Sequence, residues 1–451
     1  MKKILFLCDA SDIDMVEQSF ARQNRYDLTI ETSEKILQFG VRPYLEQTIE
    51  RIRNNPEMYD GIVGTHDSSA VFAAIIAQET GHRFAPVNAV INTQNKYLFR
   101  RIQRDILPEC TPACALALDY LRKPARLSFP FFIKPVRANI SFGTHIVRQT
   151  GELEYHMARE SIDIARFNQY YLNALAIDPA YHNALNVATC NNFLCEELVS
   201  GTQVTMDGYV FEGEVTLFGI TRAVYHPNTN SFFYHAFPHR FEPDLQDKIE
   251  TSLEKLIPAL GIDNSFFNVE LRADEEKQKF GIIEVNSRIA FQFAKTIESV
   301  TGTDPLHMLC DVATGQRPDP IKTRTMTHGA CYNFELHLFH DARILQTPTQ
   351  SAFEEIRLKY PEVSIRNLIH ENAHLSDFKH NPESYRYAVV DVPGDSHEQI
   401  MEKYDQVVSM LGYRFSKAPE DGKVSCIMPE SPPHRTYGGS REVASQPVPE
   451  D

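Results

Sequence analysis

Acidic, amide and arginine side chains alternate along two short segments that predict a β-hairpin. Residues 265–272 and 281–288 have the β-branched and aromatic content of strands, and the polar residues 274–279 between them are typical of a turn. Pairing about this turn places Glu270 opposite Glu284. Side-chain alternation then predicts one apolar face for the core, formed by Phe267, Val269, Leu271, Ile283 and Val285, and one polar face that also carries Asn268, Asn286, Arg272 and Arg288.

Two interpretations of this polar face stay open on the hairpin alone. Like charges directly opposite on neighbouring strands are destabilising unless something neutralises them. A hard cation such as Mg²⁺, bound by carboxylate oxygens and sharing phosphate oxygens, would do so. The alternative is a solvated outer face on which Arg272 and Arg288 form ion pairs with the two acids.

A lysine ends a second apolar segment, residues 129–133, and Pro135 follows it. Proline cannot donate to a ladder, so it marks a strand end or an edge. Burying Lys134 there is costly unless an anion meets it. A phosphate would satisfy it, approached also by Ser141 and the backbone of Gly143. The alternative is that Lys134 reaches out to solvent.

The elements that must position these residues begin with an alternation of strands and helices over residues 1–94. This pattern predicts a doubly wound parallel sheet. Its predicted elements are strands at 3–8, 26–31 and 61–64 and helices at 11–23, 42–54 and 70–80. Ligands of such sheets bind beyond the strand C-termini, where Asp9 and residues 65–67 would lie. No Gly-x-Gly-x-x-Gly follows the first strand, so a dinucleotide site is not expected, and a purely supporting domain is the alternative.

The rest of the chain predicts mixed helix and antiparallel sheet. Helix is expected at 96–106, across 151–190, at 291–301 and at 302–315, and antiparallel strands at 192–225 and 265–288. A loop carrying possible ligands is expected at 234–240. Strands at 329–339 and 385–392 and an amphipathic helix at 397–411 follow, and the residues from 429 onward are rich in Pro, Ser, Gly and charge, which is typical of disorder.

Composition limits the classes of partner. The 451 residues suffice for about two to four domains. The formal net charge of −15 argues against a nucleic acid or an anionic membrane as the general partner. No apolar run is long enough for a transmembrane helix. The eight cysteines form no Cys-x-x-Cys pair, so we expect reduced thiols and a cytoplasmic protein.

The order of these motifs resembles the ATP-grasp superfamily of carboxylate–amine (or thiol) ligases. The resemblance runs from about residue 96 to 320 and rests on Lys134-Pro followed by Ser141-x-Gly143, Glu196-Glu197-Leu198-Val199-x-Gly201, and Glu270 followed by Glu284-x-Asn286-x-Arg288. Within the superfamily, the sequence is most similar to the amino-acid ligases that make dipeptides. The expected fold is a multidomain α/β and α+β protein: an N-terminal doubly wound α/β domain (1–94), an ATP-grasp domain (95–320, with a lid at about 110–200), a small β-rich C-terminal domain similar to that of biotin carboxylases (321–428), and a disordered tail (429–451).

The resemblance implies a role for each motif residue. Lys96 and Lys134 would contact the ATP phosphates, and residues 196–199 would form the strand that holds adenine. The ribose-binding acid falls at about Gln203, an amide in this chain. Glu270, Glu284 and Asn286 would be ligands of Mg²⁺ (or Mn²⁺), and Arg288 would stabilise the transferred phosphoryl group.

Two segments depart from the family pattern. The loop after Lys134 usually contains more glycine, whereas Arg137, Ala138 and Asn139 occupy it here, so a stiffer lid is implied. The paired glycines that often follow Asn-x-Arg in dipeptide ligases are replaced by residues 289–292, Ile-Ala-Phe-Gln. A bulkier or differently held acyl substrate is therefore implied.

The implied reaction is ATP-dependent activation of a small acid or amino acid as an acyl-phosphate, followed by attack of an amine, with release of ADP and phosphate. The partners expected are these two small-molecule substrates, with a homodimeric assembly left open. One alternative is a biotin-carboxylase-like enzyme, which would need a separate biotin carrier because no Met-Lys-Met sequence is present. The other is a non-catalytic ATP-binding regulatory protein.

Overall fold

The computed structural model describes residues 1–21, 25–124, 127–139, 142–319, 328–378, 384–416 and the backbone of 426–427. The strands are β1 Lys2–Cys8, β2 Tyr26–Thr32, β3 Gly61–Gly64, β4 Cys114–Leu116, β5 Phe131–Pro135, β6 His145–Val147, β7 Phe193–Glu197, β8 Thr202–Phe211, β9 Glu214–Tyr225, β10 Phe232–Phe237, β11 Ser265–Asp274, β12 Lys279–Asn286, β13 Ala330–Leu338, β14 Ile344–Gln346, β15 Ser364–Asn367, β16 Tyr385–Gly394, β17 Arg414–Ser416 and β18 Cys426–Ile427. The α-helices are α1 Ile13–Ala21, α2 Ser33–Phe39, α3 Val41–Asn54, α4 Asp67–Thr80, α5 Val87–Gln94, α6 Lys96–Ile106, α7 Ala117–Arg122, α8 Thr150–Leu175, α9 Ala184–Thr189, α10 Pro243–Ala259, α11 Ala294–Thr301, α12 Pro305–Ala313, α13 Gln350–Lys359 and α14 His397–Leu411. Short 3₁₀ helices lie at Ala10–Asp12, Pro108–Cys110, Pro179–Tyr181, Phe291–Phe293 and Leu375–Asp377.

The N-terminal strands form a parallel sheet in the order β2-β1-β3, as the alternation of strands and helices predicts. Strand β1 is buried on both faces because helices cover both sides of the sheet. Leu5 and Leu7 pack with residues of α3 and α4, whereas Ile4 and Phe6 pack with residues of α1 and α12. The doubly wound arrangement expected from the sequence is confirmed.

A second sheet, antiparallel in the order β4-β7-β5-β6, carries the segment of Lys134 and that of Glu196. The long helix α8 follows this sheet and packs on α3 and α4 of the N-terminal unit. Near its C-terminal end, Tyr171 and Ala174 are fully buried in the apolar core of that unit. The region predicted as a lid is therefore anchored to the N-terminal unit by apolar packing.

The largest sheet is antiparallel and has the order β12-β11-β8-β9-β10-β13-β16-β15. Near one edge, its apolar face packs on α10 through residues such as Met206, Val269 and Leu253. Near the other edge, the same sheet packs on α14 through Phe334, Val390 and Ile400. The C-terminal strands thus extend this sheet, and β14, β17 and β18 form a small separate sheet.

The loop predicted at residues 234–240 is wrong for its first half, because residues 232–237 form strand β10 in the middle of the large sheet. Polar side chains within an aromatic segment gave the appearance of a loop. His235 is instead buried, with its ring 5.0 Å from that of Phe293. The proposed domain borders near 94 and 320 remain predictions, and the tail predicted at 429–451 lies outside the described residues.

The predicted hairpin forms, with Glu270 opposite Glu284 and Asn268 opposite Asn286. A β-bulge follows Glu270, so that Leu271 pairs with Ile282 rather than with Ile283. Ile282 is therefore fully buried in the core, and the predicted core position of Ile283 is wrong. A bulge adds one residue to one strand and reverses the alternation beyond it, which a simple two-residue period cannot foresee.

Gly201 joins the segment after β7 to the large sheet. Its φ is 107°, in the region that favours glycine. A Cβ atom at this position would lie 2.4 Å from the carbonyl oxygen of Ala273. Only glycine allows this close approach of two backbones without displacement.

In the described residues, no helix is long and apolar enough to cross a membrane.

We predict that Gly201→Ala lowers the midpoint of thermal unfolding, measured by calorimetry. The added methyl group meets a backbone oxygen and the residue keeps a strained φ, which together cost more than about 1 kcal/mol. Gly151→Ala is the matched control, because a Cβ atom there meets nothing within 4 Å. Equal midpoints for the two variants would contradict this role of Gly201.

Candidate active site

Two opposed carboxylates form the centre of the site. Glu270 on β11 faces Glu284 on β12, and both are half-buried. Lys96 Nζ lies 3.4 Å from Glu284 Oε2, and Gln203 Nε2 donates to Glu270 Oε2 at 3.4 Å. Arg272 donates to Tyr225 and Arg288 donates to Asp67. The ion pairs of these arginines with the two acids, which the alternative interpretation requires, therefore do not form.

The two carboxyl groups differ in their electrostatic surroundings. Burial, followed by the charge of Glu284, raises the pKa of Glu270 to about 8. Burial acts in the same direction on Glu284, but Lys96 and Lys134 outweigh it and lower the pKa of Glu284. Glu270 is thus the carboxylate whose charge the protein leaves without sufficient compensation.

This imbalance fits a cation. Within the described residues, no group of three or more His, Cys, Asp or Glu side chains is arranged to hold a metal ion. Further ligands would therefore have to be an amide, such as Asn286 on the same face of β12, and oxygens of a bound phosphate. Mg²⁺ is commonly held by one or two carboxylates together with substrate phosphates.

Lys134 belongs to a buried ion network. Its Nζ donates to Glu196 Oε1 at 2.6 Å, and Arg100 binds the same carboxylate through Nε at 2.7 Å and Nη2 at 2.9 Å. Burial alone would raise the pKa of Glu196, but Arg100 and Lys134 lower it to about 2. Two cations share one anion, so the network carries a net positive charge beside the site.

Arg100 also explains how the bulge in the hairpin is satisfied. Its Nη2 donates to the carbonyl oxygen of Ile283 at 2.6 Å. The side chain is 1% exposed and lies on α6, one helical turn after Lys96. Sequence reasoning assigned a role to Lys96 on this helix but not to Arg100. Its position four residues after Lys96, on the face that also carries Gln103, was the available signal.

Arg288 is oriented by the N-terminal unit. Its Nε donates to Asp67 Oδ1 at 2.7 Å, and its Nη1 donates to the carbonyl oxygen of Ile289 at 3.0 Å. Burial would raise the pKa of Asp67, but Arg288, Arg137 and Lys96 lower it to about 2. Asp67 lies at the start of α4, beyond the C-terminal end of β3, which is where the sheet rule predicts ligands. The sequence identified this position without assigning it to the site.

The segment predicted to hold adenine, residues 196–199, begins with the last two residues of β7. Glu196 uses its side chain for the ion network, whereas Glu197 is exposed and accepts a hydrogen bond from the backbone of Ala113 at 3.1 Å. Leu198 and Val199 are half-buried after the strand. A Cβ atom at Gly281 would lie 2.8 Å from Val199 Cγ1, so this segment packs directly on β12. It thus lies between the sheet of Lys134 and the hairpin of the acids.

Gln203 lies at the start of β8, opposite Arg272. Tyr225 Oη donates to Gln203 Oε1 at 2.5 Å, and Arg272 Nη2 donates to Tyr225 Oη at 3.1 Å. Arg272 therefore supports a tyrosine rather than an acid. The amide of Gln203 bridges Tyr225 and Glu270, which places it beside the opposed carboxylates.

Asp207 is a further acid on the same face of β8, and sequence reasoning did not include it. Its Oδ1 accepts from Asn268 Nδ2 at 2.8 Å, and its Oδ2 is buried without a hydrogen-bond partner among the described residues. Burial raises the pKa of Asp207 to about 7, against smaller opposite effects of Asn268 and Arg288. The alternation of Gln203, Thr205 and Asp207 was the signal that could have identified it.

The loop after Lys134 is held by Arg137. The guanidinium donates to Gln94 Oε1 at 2.8 Å, to Asn168 Oδ1 at 2.9 Å and to Tyr170 Oη at 2.8 Å. It also lies 3.9 Å from the ring centre of Tyr171. Lys96 Nζ donates to the carbonyl oxygen of Ala138 at 2.8 Å. Ser141, predicted at the phosphates, lies outside the described residues.

An apolar wall follows Arg288. Ile289, Ala290, Phe291 and Phe293 are all buried, and the ring of Phe291 lies 5.5 Å from that of His66. These residues stand where the related ligases often have paired glycines. The helix predicted over 291–301 begins with a 3₁₀ turn and becomes α-helical at Ala294.

These motifs match a known family model. Residues 127–296 match the ATP-grasp domain. The chain contains an ATP-grasp domain. The matched range includes the buried Lys134–Glu196 pair, residues 196–199 and the hairpin with Arg288. Lys96 precedes the matched range. No curated protein matches the sequence.

Solved structures show the same fold over nearly the whole chain. The L-amino acid ligase of Bacillus licheniformis has a TM-score of 0.69 at 15% identity, covering 92% of this chain and 98% of that one. The phosphoribosylglycinamide synthetase of Anaerococcus prevotii has a TM-score of 0.60 at 14% identity, covering 91% and 99%. The biotin carboxylase domain of the Hydrogenobacter thermophilus 2-oxoglutarate carboxylase, solved with MgADP and bicarbonate, has a TM-score of 0.64 at 14% identity, covering 95% and 92%. At these identities the likeness establishes the fold alone.

We predict that Arg100→Leu destabilises the protein by about 3–5 kcal/mol, because it removes one partner of a buried ion network. Chemical denaturation followed by circular dichroism measures the change. Arg101→Leu is the control, since Arg101 is exposed on the same helix, and we expect a change within about 0.5 kcal/mol. Similar losses for both variants would show that Arg100 has no special role.

A second prediction concerns pH. Because the pKa of Glu270 is raised, a cation that binds this carboxylate would displace a proton. The affinity of the protein for Mn²⁺ should therefore increase with pH up to about 8. Below that value, a one-proton linkage gives about a tenfold gain per pH unit. Calorimetric titration of Mn²⁺ in buffers of different ionisation enthalpy measures both affinity and proton release. Glu270→Gln should abolish the release, and a pH-independent affinity of the unmodified protein would refute the assignment.

Proposed function

We propose that this protein is an ATP-dependent, ADP-forming carboxylate–amine ligase. One observation carries the proposal. Lys96, Lys134 and Arg288 surround the opposed pair Glu270 and Glu284, although they come from three separate parts of the chain. Phosphoryl transfer requires this combination, because it depends on positioning and charge neutralisation rather than on covalent help from the protein.

ATP would lie between residues 196–199 and the hairpin. The backbone of residues 197–199 would hold adenine, and Gln203 would contact the ribose. Lys96 and Lys134 would neutralise phosphate oxygens. Arg100 already binds the Glu196 carboxylate in a bidentate manner, so the charge of Lys134 is only partly neutralised by Glu196. A phosphate can therefore pair with Lys134, because Glu196 keeps Arg100 as a partner.

The metal would be held by Glu270, Glu284 and Asn286. When bound, Mg²⁺ supplies charge neutralisation and fixes the orientation of the nucleotide phosphates. Lys96, whose Nζ lies 3.4 Å from Glu284 Oε2, would contact the phosphates. Asp207, two residues along β8 from the partner of Glu270, adds a further carboxyl group to the same face.

Arg288 would stabilise the acyl-phosphate and the oxyanion that forms when the amine attacks. Asp67 accepts from its Nε and the carbonyl oxygen of Ile289 accepts from its Nη1, so Nη2 would contact the reacting groups. The apolar wall of residues 289–293 excludes water from an intermediate that hydrolyses readily. The substrates proposed are a small carboxylic acid or amino acid and an amine.

The test is release of phosphate and ADP across a panel of acids, each supplied with and without an amine. Turnover that needs a matching acid and amine supports the proposal. The panel includes bicarbonate with free biotin, since turnover with that pair would identify a carboxylase instead. ATP binding without ADP formation throughout the panel would identify a non-catalytic protein.

We predict that Glu284→Gln lowers turnover by at least about a thousandfold, because the amide cannot hold the cation in the transition state. Glu275→Gln is the matched control, since Glu275 is exposed in the turn of the same hairpin. It should leave turnover unchanged. Retained activity in Glu284→Gln would refute the metal site.

A further inference from the structure

The topology of the N-terminal sheet predicts a crevice at its C-terminal edge. The order β2-β1-β3 means that the chain leaves β1 on one side and returns on the other. In parallel sheets, ligands bind beyond the strand ends at such a switch point. The residues that follow β1 and β3 there include Asp12 and His66, whose side chains are hydrogen-bonded to each other.

Arg366 reaches this crevice from the opposite side. It lies on β15, the edge strand of the large sheet, and its Nη1 is 3.5 Å from Asp12 Oδ1. The side chain is 16% exposed, and its Nε is buried without a hydrogen-bond partner in the described part of the chain. A guanidinium has five N–H donors. A buried donor without an acceptor costs about 1–3 kcal/mol, so Arg366 has unused capacity to bind an anion.

The acids around Arg366 have partners of their own. Glu335 accepts from Arg386 Nη1 at 3.1 Å. Asp391 accepts from Thr296 Oγ1 at 2.6 Å and from Asn333 Nδ2 at 2.7 Å. Asp12 is shared with His66. None of these groups forms a close, bidentate pair with Arg366.

Arg288 provides a comparison on the same sheet. Its guanidinium binds Asp67, the residue after His66, at 2.7 Å. Two neighbouring loops of the N-terminal sheet therefore each present a carboxylate to an arginine of the large sheet. Arg288 is assigned to the reacting group, which leaves Arg366 for a group farther from the bond that forms.

We infer that Arg366 binds a second anionic group, a carboxylate or a phosphate, carried by the acid or by the amine substrate. The planar guanidinium matches either group through two parallel hydrogen bonds. This inference rests on the proposed ligase activity, because Arg288 is taken to hold the reacting carboxylate. It makes Arg366 a specificity-determining residue and names doubly charged substrates as the preferred class.

The experiment compares pairs of substrates that differ in one remote charge, such as a dicarboxylic acid and its monoamide, or an amino acid and its primary amide. In Arg366→Gln, we expect kcat/KM for the charged member to fall about 10- to 100-fold, with little change for the amide. Arg366→Lys should restore part of the loss. Arg357→Gln, on the exposed end of α13, is the control for a general change of charge. The pair in which the loss appears identifies the substrate that carries the group.

An equal loss for both members, or equal activity of the unmodified protein on both, would overturn the inference. If the unmodified protein forms no ADP with any pair, the proposed ligase activity fails separately. Binding then decides the matter: the shift in melting temperature produced by each member is measured in the unmodified protein and in Arg366→Gln. A larger shift with the charged member that disappears in the variant supports the anion site, and equal shifts overturn it.

Discussion

The buried carboxylate of Glu196 constrains the arrangement of the whole site. A charge removed from water must be paired, and Glu196 receives both Arg100 and Lys134. Arg100 continues to the carbonyl oxygen of Ile283, which the β-bulge leaves free. One network therefore holds together helix α6, the sheet that contains β5 and β7, and the hairpin of β11 and β12. The distance between Lys134 and the opposed acids follows from it.

Charge pairs also connect the N-terminal unit to the large sheet. Asp67 binds Arg288, and Asp12 lies near Arg366. Apolar packing also joins these regions, because Ile4 and Phe6 share one core cluster with Tyr209 and Phe266. Glu270 has no part in these pairs, and burial, followed by the charge of Glu284, raises its pKa. A cation with bound phosphates would complete the balance.

The structure gives a physical reason for both departures from the family pattern. Arg137 restricts the loop after Lys134 through hydrogen bonds to three side chains and a contact with the ring of Tyr171, and α8 is packed into the N-terminal core. Motion of this region as one rigid lid would break those contacts. After Arg288, buried apolar residues form a wall in place of a glycine pair. This wall and Arg366 are where the identity of the substrates would be decided.

The sequence alone determined the parallel N-terminal sheet, the facing positions of Glu270 and Glu284, and the ATP-grasp motifs, because each depends on local periodicity or on residue order. Strand β10 was missed because polar residues interrupt an aromatic strand that is buried only in its tertiary setting. The roles of Arg100, Asp67 and Asp207 were also not assigned from the sequence, because their partners lie far away in the chain or across strands. Opposed acids can be predicted from a hairpin, but which charges remain unpaired is decided only when all the units are packed together.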